Sequence, residues 1–428
     1  MKRRLKQSSM LATLILVGTQ VQAQISLPEG LSIKPTLELT YAMFHSDKSY
    51  NDPAATGSAS WQEGYIKYGI KSEYELTNST LFANLVGIST ATFGDGDAGG
   101  FTSGKERKTV LDEWSLGWKN KHENYPAIDG SIGRQKIVIA DGFIVAGDAL
   151  NVGKALADGE LYRGGGYYLA AQQSFDFTTN VNVQLNENFK THWYYLKSNN
   201  KAQNKAKFWA TDWQYKYNQS DFGLMYLQIL DVDDPLNKSD RKHLKDVSIR
   251  AKHQLTEQFD IKGEYVHQKK KSERENAWYV ATNYTFDQVK YTPTIGYRYS
   301  SFSEHYDPLF YGNTDAGFGT WFQGEVAGNY AGPFNSNARI QQISLQASVM
   351  ENLHLGVLAY QYNTIKKQEK NLNGHEIDLF AVWEPFKNMN VIPLIGFYKP
   401  KKDLDNLGTQ VSNTKTNTYA QLILQYSF

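Results

Sequence analysis

Val247-Ser248-Ile249-Arg250-Ala251-Lys252-His253-Gln254-Leu255 is followed by Thr256-Glu257-Gln258 and then by Phe259-Asp260-Ile261-Lys262-Gly263-Glu264-Tyr265. In the first segment Val247, Ile249, Ala251 and Leu255 share one parity, while Ser248, Arg250, Lys252 and Gln254 share the other. Successive residues of a strand point to opposite faces, so each segment carries one apolar and one polar face. Three polar residues join them, which is a tight turn between antiparallel strands.

The pattern recurs in both directions along the chain. Leu31, Ile33, Leu37, Leu39, Tyr41 and Met43 alternate with Ser32, Lys34, Thr36, Glu38 and Thr40. Trp209, Thr211, Trp213, Tyr215 and Tyr217 alternate with Phe208, Ala210, Asp212, Gln214 and Lys216. Read this way, strands lie near 31–44, 61–76, 80–93, 109–119, 128–138, 166–186, 189–198, 207–217 and 222–230, then near 245–255, 259–269, 276–286, 290–300, 339–349, 353–363, 375–384, 390–399 and 416–428. Both parities are partly apolar in 81–90 and 390–398, and 166–186 is long enough to hold a bulge or an inward excursion. The count is therefore eighteen, or sixteen.

The connections decide what the two faces meet. Short linkers (Thr77-Asn78-Ser79, Asn186-Glu187-Asn188, Glu351-Asn352) alternate with long ones at 45–60, 94–108, 139–165, 231–244, 301–338 and 400–415. A sandwich has no reason to sort its loops by length. A transmembrane antiparallel β-barrel does, with tight periplasmic turns and longer outer loops, an apolar face toward lipid and a polar one toward the lumen. The expected fold class is therefore all-β. Tyr41, Trp114, Trp118, Trp193, Tyr195, Tyr217 and Tyr299 stand near strand ends, as aromatic girdles require.

The two ends fit this address. Lys2, Arg3, Arg4 and Lys6 precede an apolar run, Met10 to Val17, and Val21-Gln22-Ala23 offers a cleavage site. This is the order of a signal peptide over residues 1–23, leaving 24–428 as the barrel. Without that segment the chain holds 41 basic and 44 acidic residues, a balance that gives no case for nucleic acid. The final stretch, Ala420 to Phe428, alternates cleanly and ends on an aromatic residue, resembling the signal read by the barrel-assembly machinery. With no cysteine there is neither a disulfide framework nor a thiolate ligand or nucleophile.

No HExxH, P-loop or GxSxG motif is present, so neither an enzyme nor a cofactor is expected. Gly94-Asp95-Gly96-Asp97-Ala98-Gly99-Gly100 has the look of a calcium loop, and Asp231, Asp233 and Asp234 form a second acidic loop. Both read first as solvated loops, with calcium or lipopolysaccharide-bridging cations as the sharper alternative. His375-Glu376 reads as a rim or lumen pair. The informative charges are those of polar parity: Lys34, Lys67, Lys71, Lys190, Lys216, Arg250, Lys252, Lys262 and Arg298 against Glu38, Glu73, Glu75, Asp212, Asp260, Glu264, Glu376 and Asp378. Their near balance leaves ion selectivity to local placement. Loops 139–165 and 301–338 are apolar or aromatic enough to fold inward and narrow a wide barrel.

The run Gly130-Ser131-Ile132-Gly133-Arg134-Gln135-Lys136, the block Pro293 to Tyr297 with Tyr306 to Asn313, Asn335-Ser336-Asn337 and His375 to Leu379 resemble the alginate-export family of outer-membrane channels. The resemblance implies an eighteen-stranded monomeric barrel with an Arg-lined pore for anionic sugars or carboxylates. It marks Arg134 as a pore-lining cation, and the strand reading adds Arg163, Arg298 and Arg339 as further candidates. The function expected is an outer-membrane porin passing small hydrophilic, anionic solutes such as organic acids or sugars, in contact with lipid and lipopolysaccharide. The alternatives are export of an acidic polysaccharide, a barrel enzyme with a buried Ser/His or paired carboxylates on the lipid face near the outer rim, and a structural or adhesion barrel with a closed lumen.

Overall fold

A computed structural model describes residues 28–50, 57–120, 126–233, 240–312, 323–327, 335–368 and 370–428. The segment read as a signal peptide, Asp234 and parts of the loop 301–338 lie outside the described residues. Eighteen strands form one antiparallel sheet. The first nine are β1 (Leu31–Ser46), β2 (Ala59–Glu75), β3 (Ser79–Gly94), β4 (Arg107–Asn120), β5 (Ala127–Gln135), β6 (Phe175–Gln184), β7 (Phe189–Lys197), β8 (Lys207–Tyr217) and β9 (Ser220–Asp231). The others are β10 (Lys245–Gln254), β11 (Phe259–Lys269), β12 (Arg274–Thr285), β13 (Thr294–Phe302), β14 (Ala338–Met350), β15 (Leu353–Thr364), β16 (Gly374–Phe386), β17 (Met389–Pro400) and β18 (Asn417–Ser427).

Each strand pairs with its sequence neighbours, and β1 pairs with β18, from Glu38 opposite Ser427 to Ser46 opposite Tyr419. The ring therefore has no free edge, which satisfies every backbone group without water. Phe428 continues the seam: its N–H donates to the Leu37 carbonyl at 2.8 Å.

The outward parity is apolar around the ring. Ile66, Leu116, Ile249, Ile343, Leu379 and Trp383 stand exposed on it. So many large apolar side chains open on one face of a closed sheet make a surface for lipid rather than water. Tyr217 ends β8 and Trp118 stands two residues from the end of β4, both exposed on the same face.

Two local devices set the positions of the lumen charges. β3 and β4 shift register between Val86 and Gly87, so Asp112 is the extra residue opposite that step and is fully buried. β5 bends at Gly133, whose φ is +138° and where a Cβ would lie 2.1 Å from the Trp114 carbonyl oxygen. Only glycine fits there. One sequence expectation needs correction: β6 begins at Phe175, and residues 166–174 belong to an inward loop. Tyr167, Tyr168, Ala170 and Ala171 are apolar because they pack inside the barrel, not because they form a strand.

Candidate functional site: a lumen narrowed by two loops

The loop between β5 and β6 crosses the lumen. At one end Val138 bridges Ala146 in a small hairpin whose tip, Phe143 to Val145, is buried. Phe143 packs on Tyr279 of β12 and Phe302 of β13, with ring centroids 5.1 and 5.7 Å away. At the other end Tyr168 lies 4.9 Å from Trp61 and 5.4 Å from Phe44. There the Leu169 N–H donates to the Glu63 carboxylate at 3.1 Å and the Gly166 N–H to Thr92 Oγ1 at 3.1 Å. In an eighteen-strand ring β3 and β12 stand opposite each other, so the loop spans the bore.

The loop between β13 and β14 is laid on it. Val145 bridges Phe310 in parallel, and the Phe310 ring packs against Phe175 and Phe208 at 5.0 and 5.2 Å. Further along, the N–H groups of Val326 and Ala327 donate to the two Glu376 oxygens at 2.9 and 2.6 Å. The described part of this loop thus does as its composition suggests, packing aromatic area against the inner wall.

The cations expected in the pore divide into those engaged by the fold and those left facing it. Arg163, in the crossing loop, is buried and lies 3.2 Å from Asp148. The carboxylate of Asp148 also accepts from Ser198 and Asn200 at 2.7 and 2.9 Å, and these contacts pin the loop. Arg134 donates through Nε to the Asp112 carbonyl at 2.8 Å and approaches Asp176 at 3.2 Å. Lys67 pairs with Asp112 at 3.1 Å, and Arg250 grips both oxygens of Asp212 at 2.7 and 2.8 Å. Lys71 stands opposite Lys34 on β1. Lys252 stands directly opposite Lys262, with Asp221 on its other side. With Lys190, Lys216, Arg250 and the loop residue Asp141 these line a cavity of about 390 Å³.

Arg298 differs from the rest. Its guanidinium lies over the Tyr279 ring at 3.6 Å, and its Nε donates to Ser300 Oγ at 3.0 Å. Both terminal nitrogens are buried without a hydrogen-bond partner among the described residues. The Tyr279 hydroxyl donates to Asp141. A stacked, fixed guanidinium with unused donors suits a carboxylate or phosphate oxygen.

Arg339 is corrected. It shares the outward parity of Ile343 and Leu345 on β14, while Ala338, Ile340 and Gln342 face inward. The strand's alternation puts the guanidinium on the outer surface, near the outer end. Sequence reading also missed Asp112, Asp141 and Tyr279. The separation of Leu111 and Leu116, which both face outward across an odd interval, was the available signal for the bulge that turns Asp112 inward.

The acidic motifs are used by the fold. Asp97 accepts from the N–H groups of Gly99 and Thr102 and from the Thr102 hydroxyl, at 2.9, 2.6 and 2.6 Å. Burial raises its carboxyl above the usual range, with those donors acting against the rise. Among the described residues no cluster of three metal-ligating side chains occurs.

No protein-family model and no curated protein sequence matches the chain. Solved structures do. A BenF-like porin from Pseudomonas fluorescens Pf-5 is similar with a TM-score of 0.63 at 11% identity, covering 93% of this chain and 98% of the other. Pseudomonas aeruginosa OpdQ gives 0.60 at 12%, covering 92% and 97%. The outer membrane protein opdK of the same species gives 0.59 at 10%, covering 92% and 98%. These neighbours are not alginate-export channels, and they overturn the resemblance drawn from the Gly130–Lys136 and Pro293–Asn313 motifs. Those motifs are short stretches of strand and the loop that follows, too brief to separate one large barrel from another.

Proposed function

We propose that the chain is a porin of the Gram-negative outer membrane, passing small hydrophilic and preferentially anionic solutes by facilitated diffusion. The observation that carries this reading is the crossing loop 136–174, which narrows a closed eighteen-strand ring beside inward-facing cations on two walls. Lys67, Lys71 and Arg134 stand on one wall. Arg250, Lys252 and Arg298 stand on the other, and Arg163 lies in the loop between them. A wide barrel passes solutes unselectively unless something folds inward, and here two loops do. Fixed cations with low-dielectric walls raise the local anion concentration. The likeness to a BenF-like porin supports the same class of transport.

The test is liposome swelling and single-channel recording with the purified barrel. Small mono- and dicarboxylates should permeate faster than neutral sugars of matched size. Equal rates would remove the anion preference, and no conductance at all would remove the channel.

The enzyme alternative has one geometric argument in its favour. On the outward face near the outer rim, Ser60 Oγ lies 2.8 Å from His45 Nδ1, and His45 Nε2 lies 3.1 Å from Asp47. The serine is poorly placed for acyl transfer, because its own N–H donates to the Asp95 carboxylate at 3.0 Å. An anion thus occupies the place where an oxyanion would need donors. Directly opposed Ser–His pairs also recur at Ser220–His253 and Ser348–His354, without an acid. A cross-strand polar pair at the membrane boundary accounts for all three.

A further inference from the structure

The outward face of β10, β11 and β12 changes character in a fixed order along the strands. Ile249, Tyr265 and Trp278 lie in one row, Val247, His267 and Asn276 in the next, and Lys245, Lys269 and Arg274 in the outermost. The middle row is tied together: Tyr265 Oη donates to Asn276 Oδ1 at 2.7 Å, and His267 Nδ1 lies 2.9 Å from the same oxygen. Apolar and aromatic, then increasingly polar, then cationic is the sequence met on leaving a bilayer core.

The outermost row is costly as it stands. Lys245 is directly opposite Lys269, and Lys269 directly opposite Arg274, so three exposed cations stand abreast on adjacent strands. Like charges in that position repel. None of the three forms an ion pair among the described residues, and Lys245 has Gln228 on its far side. Nearby cations are treated differently: Lys207 and Lys242 both pair with Asp231, at 3.1 and 3.2 Å, and Lys270 with Glu273 at 2.8 Å. The described residues supply counter-charges to these neighbours and none to the row itself.

We propose that Lys245, Lys269 and Arg274 form a binding site for the phosphorylated headgroup of an outer-leaflet glycolipid. Its phosphates bridge the three cations, and its acyl chains run down over His267, Tyr265, Trp278 and Ile249. The proposal rests on the outer-membrane reading above, which sets this face toward lipid. A soluble anion would gain the charges alone. An amphiphile gains the charges and the apolar surface beneath them, and that continuity selects the lipid. Arg274 offers a planar fork to one phosphate, while the two lysines act as point charges.

The test uses the folded barrel in a neutral detergent, titrated with diphosphoryl lipid A and followed by native mass spectrometry. The wild type should retain the lipid. Lys269→Gln with Arg274→Gln should weaken retention at least tenfold, and Lys399→Gln, on β17 away from the row, should not. Millimolar inorganic phosphate should fail to displace the lipid, and a phosphate-free analogue should bind the wild type as weakly as the double variant does. Equal retention by wild type and double variant overturns the site, as does displacement by free phosphate. If the double variant folds poorly, Lys269→Gln alone is compared, with a smaller loss expected. Single-channel conductance of the same samples keeps the two readings apart. An intact channel with no lipid preference sinks this site alone, and retained lipid with no conductance sinks the porin alone.

Discussion

The backbone N–H of Ala146 donates to the carbonyl of Phe310 at 2.7 Å, joining two loops that leave the ring eight strands apart. The Phe310 N–H returns a bond to Ile144 at 3.1 Å, and Gly312 donates to Gly142 at 3.0 Å. The constriction is therefore a small piece of sheet built across the bore, and each loop holds the other in place.

Phe310 anchors that piece through Phe175 and Phe208. Truncating a buried Phe costs about 3–5 kcal/mol of local packing. Because the strand ladder is separate, Phe310→Ala should leave a heat-modifiable barrel while raising single-channel conductance and admitting larger sugars. Unchanged conductance would mean that the loops do not limit the pore.

Selectivity should depend on which guanidinium has donors to spare. Arg134 spends Nε on a backbone carbonyl, whereas the terminal nitrogens of Arg298 are unpartnered among the described residues. Arg298→Ala should therefore reduce anion-over-cation permeability more than Arg134→Ala does, and the difference should shrink as salt shortens the Debye length below about 10 Å. Reversal potentials in planar bilayers at two salt concentrations decide it.

The outer loops carry a pH-dependent tie. Arg241, after β9, makes two hydrogen bonds of 2.7 Å to Asp307, after β13, and also binds Gln203 at 2.8 Å. Burial alone would raise the Asp307 carboxyl, but the charge of Arg241 and its hydrogen bonds outweigh it and hold the group below the usual range. A lowered carboxyl contributes stability above its unfolded value, near 4, and loses it as pH falls through the folded one. Proteolysis of the outer loops should therefore stay constant down to about pH 4 and rise below it. Asp307→Ala should show the rise at all pH values, at a cost of about 3–5 kcal/mol for the stranded Arg241.

The sorting of faces is open to a direct stability measurement. Ile343 is 52% exposed near the middle of β14, on the face assigned to lipid. A cation there should lower folding stability by about 2–4 kcal/mol in a bilayer. Lys252→Met on the lumen wall should change it little. Urea titration in lipid vesicles would reverse the assignment if Lys252→Met proved the more damaging.

The ring itself was legible because a period of two leaves little choice once one face must be apolar. Seventeen of the eighteen strands fall within a few residues of the alternation read from sequence; the exception is β6, whose early start absorbed Tyr167 and Tyr168. Those rings are buried for a local reason, Tyr168 against Trp61 and Phe44 and Tyr167 against Phe101, which pattern alone does not separate from strand. The site was harder to read. Arg250, Lys252 and Arg298 follow the parity of well-formed strands. Arg339 was misplaced because the strand reading did not carry the alternation of β14 back from Ile343 to its first residues, where Arg339 shares the outward parity. Asp112 escaped because a bulge breaks the alternation just there. Asp141 was invisible because only the tertiary path of its loop brings it to Tyr279.

The seam between β1 and β18 carries a consequence for time rather than for shape. Ser46 Oγ donates to Asn417 Oδ1 at 3.2 Å, joining residues 371 positions apart in the chain. The entropy of closing a loop grows slowly with its length, so the finished seam is affordable, but contacts this distant form late. Until they do, the growing sheet is an open ribbon with two unsatisfied margins, each able to capture another copy. The vulnerable species is thus the one that is nearly complete, and the interval before its ends meet governs how much of this protein is lost to aggregation.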